Sequence, residues 1–374
     1  MNNRNIPVGK PVTGKELIGR ESDIRTIMQL LEQGQSIVLL GSRRTGKTSV
    51  MLELLRRLKN RGYYTMNTDV FTSPTAGMLA ESITSGVLAN RKLDAAFSKM
   101  KQNVKFLINN TQFRQVVENH EFIFGFAEKQ QDGLKLLGES VEFMNAFPEK
   151  YKRKLYAGFD EFGDIDKYNG GSVSKMFRSR LQLQKNTCCI FTGSYESVMN
   201  ELFVTRKSPF YRFARIFRIG NIPVEIFREY FVTKLKDFGY SITSGALTKL
   251  LDFTEGHPYY SQLAVQQTVL GCSHKKTNED DVPEIIRQMM FAEAGYLEKC
   301  WDEMVSRREN ISVLLALARE EKYLYSAAAG KKVNVSRSIK YLINTGLVGK
   351  DIRGYYITDP LLKMWINDNI LNKT

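Results

Sequence analysis

At 374 residues the chain exceeds what one hydrophobic core organises, so two or three domains are expected. Its 54 Lys and Arg against 40 Asp and Glu give a formal charge of +14, which favours anionic partners such as nucleic acid or an acidic membrane surface. No apolar run approaches the length of a membrane span, the polar opening MNNRNIPVGK has no signal-peptide apolar region, and the four cysteines form no C-x-x-C pair. Together these exclude a membrane-spanning protein, a disulfide framework and a cysteine zinc site, and lead us to expect a cytoplasmic protein.

Residues 1–12 carry two prolines and few large apolar groups, and read as a flexible arm. A helix follows with Ile24, Ile27, Met28, Leu30 and Leu31 on one side. Next, the apolar run Ser36 to Leu40 passes into Gly41-Ser42-Arg43-Arg44-Thr45-Gly46-Lys47-Thr48 and then into an amphipathic segment from Ser49 to Lys59. This is the strand, loop and helix order that G-x-x-x-x-G-K-[ST] requires of a P-loop. The glycines let backbone N–H groups close around a phosphate chain, Lys47 reaches its β- and γ-phosphates, and the Thr48 hydroxyl is placed for Mg²⁺. The helix N-terminus adds a positive dipole.

Beyond Gly62, Tyr63 to Val70 reads as a strand with Asp69 near its end. From Pro74 to about His120 the pattern is helical and polar, with Met78, Leu79, Ile83, Val87 and Leu88 as the expected buried stripe. A short strand over Glu121 to Phe126 and a helix over Leu136 to Phe147 come next. The apolar strand from Lys154 then ends in Asp160 and Glu161. Downstream of a P-loop, this pair fits Mg²⁺ binding by Asp160 and polarisation of the attacking water by Glu161, although Gly158 weakens the strand pattern. Cys188 to Ser194 reads as a buried strand whose end offers Ser194 or Thr192 as a hydroxyl beside a γ-phosphate. Ser208 to Arg215 leads to another strand, Ile216 to Ile219.

At Asn221-Ile222-Pro223 the pattern turns helical: Val224 to Phe238, Ser244 to Phe253, and a helix to Leu270 opened by Gly256-His257-Pro258-Tyr259-Tyr260. Pro258 suits a first helical turn, which would hold His257 at a fixed angle near the phosphates, either contacting the β-phosphate or capping the lid core. A long helix is expected from Val282 to about Arg307. Helices over Ile311 to Ala318, Tyr325 to Ala329 and Val335 to Leu342, followed by a hairpin over Gly346 to Ile357 turning at Arg353-Gly354, read as a winged helix. The domains implied are the arm (1–12), a P-loop core (13–220), a helical lid (221–294) and a winged helix (295–374).

In this order the motifs resemble the archaeal-type ATPase family, a branch of the AAA+ and STAND P-loop ATPases. The resemblance runs from Glu16 to Ile366. It rests on Leu17-Ile18-Gly19-Arg20-Glu21 beside the adenine, on GSRRTGKTS (through Ser49) as Walker A and on Phe159-Asp160-Glu161-Phe162 as Walker B. Thr192-Gly193-Ser194, Gly256-His257-Pro258 and Asp359-Pro360-Leu361-Leu362-Lys363-Met364-Trp365 complete it. It implies an α/β fold: a parallel P-loop NTPase sheet of AAA+ type with helices on both faces, then a helical lid and a C-terminal winged helix. It also implies ATP and Mg²⁺ as ligands, with ATPase activity. The family's S-P-L-[FY]-G-R segment stands here as SPFYRFAR, with Phe213 at the usual Arg position and Arg212 at the Gly position, so that Arg212 or Arg215 is either an arginine finger or an ordinary surface or phosphate contact. The nuclease-like domain that many relatives carry after the winged helix does not follow here, so nuclease activity would need a partner.

Two functions of different class follow. In one, the protein is an ATP-driven switch on double-stranded DNA, with Arg337, Lys340, Lys350 and Arg353 on phosphates and Lys331 and Lys332 nearby. In the other, it is a signalling or scaffold ATPase whose winged helix meets a protein partner, or a second copy of the chain. A small-molecule kinase would need an acceptor-site base and a lid arginine, which no motif supplies.

Overall fold

The structure, a computed structural model, describes residues 5–90, 113–117, 120–124, 132–168, 171–272, 274–305, 308–321, 334–352 and 354–372. In chain order its strands are β1 (Ile37–Leu40), β2 (Tyr64–Asp69), β3 (Phe113–Val117), β4 (His120–Phe124), β5 (Leu155–Asp160), β6 (Thr187–Phe191), β7 (Arg215–Arg218), β8 (Ser241–Ile242), β9 (Lys276–Thr277), β10 (Val348–Asp351) and β11 (Gly354–Ile357). The helices interspersed with the sheet are α1 (Glu21–Glu32), α2 (Lys47–Asn60), α3 (Ala76–Leu88), α4 (Asp132–Lys150), α5 (Ser172–Leu181) and α6 (Glu196–Phe203). Beyond them come α7 (Val224–Asp237), α8 (Ser244–Thr254), α9 (Pro258–Gly271), α10 (Val282–Ala292), α11 (Ala294–Val305), α12 (Arg308–Ala318), α13 (Val335–Asn344) and α14 (Pro360–Ile366).

Five strands form a wholly parallel sheet in the order β2-β5-β6-β1-β7. Parallel neighbours need crossover helices, so both faces are covered and the inner strands β1, β5 and β6 are largely apolar and buried, while the edge strands β2 and β7 carry polar residues. Along β1 the side chains alternate accordingly. Ile37 and Leu39 pack with residues of α1 and α2, while Val38 and Leu40 join a core built from α3, α4, α5 and α6. Each such residue, fully buried, contributes about 2 kcal/mol. Gly158, the apparent weak point of β5, faces α2: a Cβ there would lie 2.9 Å from Leu55 Cδ1 and 3.0 Å from Met51 Sδ. The glycine lets the P-loop helix lie close against the sheet.

The order sets β6 between the P-loop strand and the strand bearing Asp160. The tips of β1, β6 and β5 therefore stand side by side along one edge of the sheet, which is where an open parallel sheet offers a binding crevice.

Several expectations change. Residues 5–12 are not a loose arm: Val12 N–H donates to Ser49 Oγ at 3.1 Å, and Ile6 and Val8 pack on the core shared by the helices beyond residue 221. Glu53, fully buried, ties the next residues to α2 by accepting Gly14 N–H at 2.8 Å together with Arg56 and Arg57. Those bonds, Arg56 first, hold its carboxyl down at about 2. Within the stretch read as helical, 113–117 is a strand pairing antiparallel with 120–124, whereas 91–112 and Gly125-Phe126 lie outside the described residues. Met78 is exposed, and Ala80 takes its place in the buried stripe of α3.

The long helix expected from Val282 is instead two, α10 and α11, divided at Glu293. The core of α7–α10 continues without a break into that of α11–α14, so the boundary at 294 separates motifs rather than two hydrophobic cores. The segment Tyr325 to Ala329 lies outside the described residues. The hairpin forms with Asp351 opposite Gly354.

Candidate nucleotide site

β1 ends at Leu40 and the chain turns through Gly41–Gly46 into α2, whose first residue is Lys47. Thr45 Oγ1 donates to Ser42 O at 2.8 Å, closing the loop on itself. The Lys47 ammonium, 7% exposed, donates to Gly41 O at 2.9 Å and Ser42 O at 2.7 Å. Burial pulls its pKa down to about 8 against the opposing fields of Glu161, Glu196 and Asp160. Among the described residues its hydrogen-bond acceptors are neutral carbonyls, and a buried cation so placed is poised for an anion.

A cavity of about 260 Å³ lies before this loop. Its polar wall is Arg44, Thr45, Gly46, Lys47, Thr48 and Ser49 with Asp160, Glu161 and Ser194; its apolar wall includes Pro11, Val12, Leu17, Ile18, Ile222 and Phe227. Such a wall suits a planar base, and the cationic loop suits its phosphates. Tyr259, from the motif that opens α9, lines it too; so do the residues from Gly9 to Val12, Phe227 and Gln262, which did not stand out in the sequence. Pro11-Val12, just ahead of the Leu17-Ile18-Gly19-Arg20 motif, was the available signal for the arm.

At the strand tips, Thr48 Oγ1 donates to Asp160 Oδ2 at 2.9 Å, and Thr192 Oγ1 donates to Asp160 Oδ1. Asp160 is thus held by a hydroxyl from α2 and one from the end of β6. Glu161 turns the other way, accepting Ser194 N–H at 2.8 Å and the Ser194 hydroxyl. Phe159 and Phe162, on either side of this pair, are fully buried and pack on Phe191 and Phe177, so the carboxylates stand on a rigid aromatic base. Asp69 ends β2 directly opposite Asp160 in the register. Burial raises its pKa, with the Asp160 and Glu161 charges adding to the shift.

The residues fit a nucleotide with a divalent cation: a hydroxyl and a carboxylate 2.9 Å apart form a hard oxygen pair beside the phosphate loop. Thr48, Asp160, Glu161, Lys47 and Ser194 all come together. Arg20, only 4% exposed, lines the cavity but spends its guanidinium on Thr45 O at 2.9 Å, Gly220 O and Asp23, stapling the P-loop to the chain leaving β7. Gly19, Gly41, Ser42 and Arg43 are not among the residues that line the cavity. Arg44 reaches past the cavity to Glu293 and lies 4.2 Å over the Tyr259 ring, whose hydroxyl also donates to Glu293; Arg43 lies 5.0 Å over Tyr296. The break between α10 and α11 thus presents an acceptor to the P-loop.

Pro258 lines the cavity, and His257 does not. The His257 Nε2 lies 3.3 Å from Arg43 O and its ring 4.7 Å from that of Tyr260, so the imidazole buttresses the back of the P-loop. Burial holds it neutral, with a pKa of about 4. Arg212 is not brought to this site. It lies before β7, whose first residue pairs with the first of β1, and lines a separate hollow with Gly34, Ser36 and Arg215 at the opposite edge of the sheet. Phe213 packs on Phe191 and Phe210, so its place in SPFYRFAR serves the aromatic base.

Arg337, Lys340 and Lys350 are exposed, and Arg353, Lys331 and Lys332 lie outside the described residues. Asn334 uses its side chain to cap α13, accepting Arg337 N–H at 3.0 Å, and Ser338 is 2% exposed. Among the described residues, no helix is long and apolar enough to cross a membrane.

No protein-family model and no curated protein matches the sequence. In structure the chain is similar to the Walker-type ATPase PABY2304 of Pyrococcus abyssi, with a TM-score of 0.72 at 16% identity over 96% of this chain and 99% of that one. It is also similar to the ORC2 protein of Aeropyrum pernix. The ADP form matches with a TM-score of 0.53 at 11% identity, covering 97% of each chain, and the ADPNP-ADP complexes match at 0.50 and 10%, covering 98% and 97%. With the strand order and the P-loop geometry, these likenesses establish the fold as that of a P-loop NTPase of AAA+ type.

Proposed function

We propose that the protein binds ATP with Mg²⁺ in this cavity, hydrolyses it, and uses the change as a switch on duplex DNA contacted by a C-terminal winged helix of α12, α13 and the β10–β11 hairpin. The observation that carries the reading is the joining of Thr48 to Asp160, with Glu161 next in sequence and Lys47 one residue before Thr48. The PABY2304 and ORC2 likenesses support it through the fold. Lys47 and the α2 N-terminus attract the phosphates, and the apolar wall takes the base. Magnesium held by Thr48 and Asp160 would neutralise phosphate oxygens. Glu161 accepts the proton of the attacking water as the water oxygen bonds the γ-phosphorus; the bond to the bridging oxygen breaks, and its electron pair leaves with ADP. From the opposite edge of the sheet, Arg212 can serve only a nucleotide held by a second copy of the chain.

The lowered pKa of Lys47 gives a pH dependence. A bound phosphate chain keeps Lys47 protonated, whereas without it the group loses its proton from about pH 8. Binding above that pH must take up a proton, so ATP affinity is expected to be flat below pH 8 and to fall by up to about tenfold per unit above it. Fluorescent-nucleotide titrations from pH 7 to 9.5 measure this, and a level profile would contradict it.

For DNA, the three exposed cations on α13 and β10, together with Arg353, suit phosphates. With Asn334 committed to the helix cap and Ser338 buried, the side chains left to read bases are few, so affinity should depend little on sequence. Replacing Arg337, Lys340, Lys350 and Arg353 by Ala is expected to flatten the salt slope of log affinity by roughly three or four units while leaving ATP binding intact. An unchanged slope would place the DNA elsewhere.

A second reading, a protein-directed switch of STAND type, draws on one observation: α13, the helix that would enter a groove, lies against α6 of the nucleotide domain. Failure of the wild type to bind duplex DNA at low salt would favour it.

A further inference from the structure

A hollow of about 480 Å³ opens at the edge of the sheet away from the P-loop, where Ser36 leads into β1, Thr187 starts β6 and Arg215 starts β7. Arg212, Gln182 and Phe213 line it with them, and among the described residues no carboxylate does. Neither Arg212 nor Arg215 has an acidic partner or a side-chain hydrogen bond among the described residues; the Arg212 guanidinium lies 5.3 Å over the Tyr211 ring. Helix capping does not account for these cations. The hollow adjoins the C-terminal ends of α1 and α5, but the carbonyls of Leu31 and Leu181 there are already taken by the N–H groups of Gly34 and Gln184. Arg212 also holds φ 56°, a left-handed setting that costs a residue with a Cβ and that glycine adopts freely. A side chain kept at such a cost points to a use for it. Over the Phe213 ring, at 4.7 Å, lies Arg178, whose Nη1 donates to Gln182 Oε1 at 2.6 Å and whose buried Nε has no partner. That bond takes the Gln182 carbonyl and leaves its NH₂ group to donate. Burial lowers the Arg178 pKa, with no neighbouring anion to offset it.

We propose that this hollow is a second ligand site, which binds a small phosphorylated molecule through Arg212, Arg215 and the Gln182 amide. The guanidinium fork matches two phosphate oxygens at once, which suits a phosphate better than a single point charge would. The volume is that of an ordinary small-molecule site, and the Phe213 ring supplies an apolar wall. The ligand is held within one copy of the chain, whereas service as a finger on a neighbour's nucleotide needs two. Since the hollow and the P-loop lie at opposite ends of β1, the site stands whether or not the P-loop turns ATP over.

The test is calorimetric titration of the full-length chain with sodium pyrophosphate, at constant ionic strength and without Mg²⁺, paired with thermal melts. The parent carries Lys47→Ala, so that the P-loop contributes little to the heat. Pyrophosphate is expected to bind at a single site, and Arg212→Gly and Arg215→Ala should each weaken it about tenfold, the loss of one charged hydrogen bond. Lys236→Ala, which removes an exposed charge from α7, should leave the affinity unchanged. Without pyrophosphate, Arg212→Gly should melt no lower than its parent, because glycine takes φ 56° without strain. Pyrophosphate that does not bind, or that binds both arginine variants as tightly as the parent, overturns the site. A clear fall in the melting temperature of Arg212→Gly makes Arg212 structural and overturns its part in it. Displacement of pyrophosphate by a short DNA duplex assigns the arginines to nucleic acid and overturns the small-molecule reading.

Discussion

Lys47→Ala is expected to lose about a hundredfold in ATP affinity without loss of fold. The ammonium is buried, is bonded to two carbonyls of its own loop, and has no carboxylate within ion-pair distance among the described residues. Its gain on meeting a triphosphate is therefore a charged hydrogen bond made in a dry site, which is the strong kind. Its effect on stability has the opposite sign. The folded pKa of about 8 lies below the unfolded 10.5, so at pH 7 the buried charge opposes folding, and removing it relieves roughly 3 kcal/mol at most. Calorimetric titration with ATP, paired with thermal melts, separates the two effects. A variant that melts much earlier than the wild type would show Lys47 to be structural.

Glu161→Gln is expected to cut hydrolysis by two to four orders of magnitude, roughly, and to leave ATP bound. The amide keeps the shape and can still accept from Ser194 N–H, so the strand tip and its aromatic base should be undisturbed. The proton of the attacking water, however, has nowhere to go. Asp160 cannot replace it, because its two oxygens are taken by Thr48 and Thr192 on the cation side. Filter binding and thin-layer analysis of the retained nucleotide would show ATP on the variant where the wild type holds ADP. Wild-type turnover in the variant would remove Glu161 from its role.

Much of this site was legible before the fold was known, because its residues are local to two short motifs. GSRRTGKT and the strand ending in Asp160 and Glu161 each carry their geometry with them, and the parallel sheet brings their tips to one edge. What stayed hidden depends on contacts between distant parts of the chain. Arg44 counts in sequence as a phosphate-loop residue, yet Glu293 claims it across 249 positions, and no spacing rule reaches so far. His257 sits beside Pro258 in one motif, but only packing decides that Pro258 faces the cavity and His257 the back of the loop. Composition misleads for residues 5–12, since the bond from Val12 to α2 and a seat on the apolar wall fix them without large side chains of their own. Ser194 was visible as a hydroxyl at a strand end. That it faces Glu161 is a property of β5 and β6 lying side by side.

The central claim is that this cavity turns ATP over through Glu161. Single-turnover conversion of prebound ATP, followed on the wild type and on Glu161→Gln with and without Mg²⁺, tests it most directly. The account predicts Mg²⁺-dependent formation of ADP on the wild type alone, with ATP persisting on the variant. ATP that stays intact on the wild type, or ADP that forms equally on both, would contradict it.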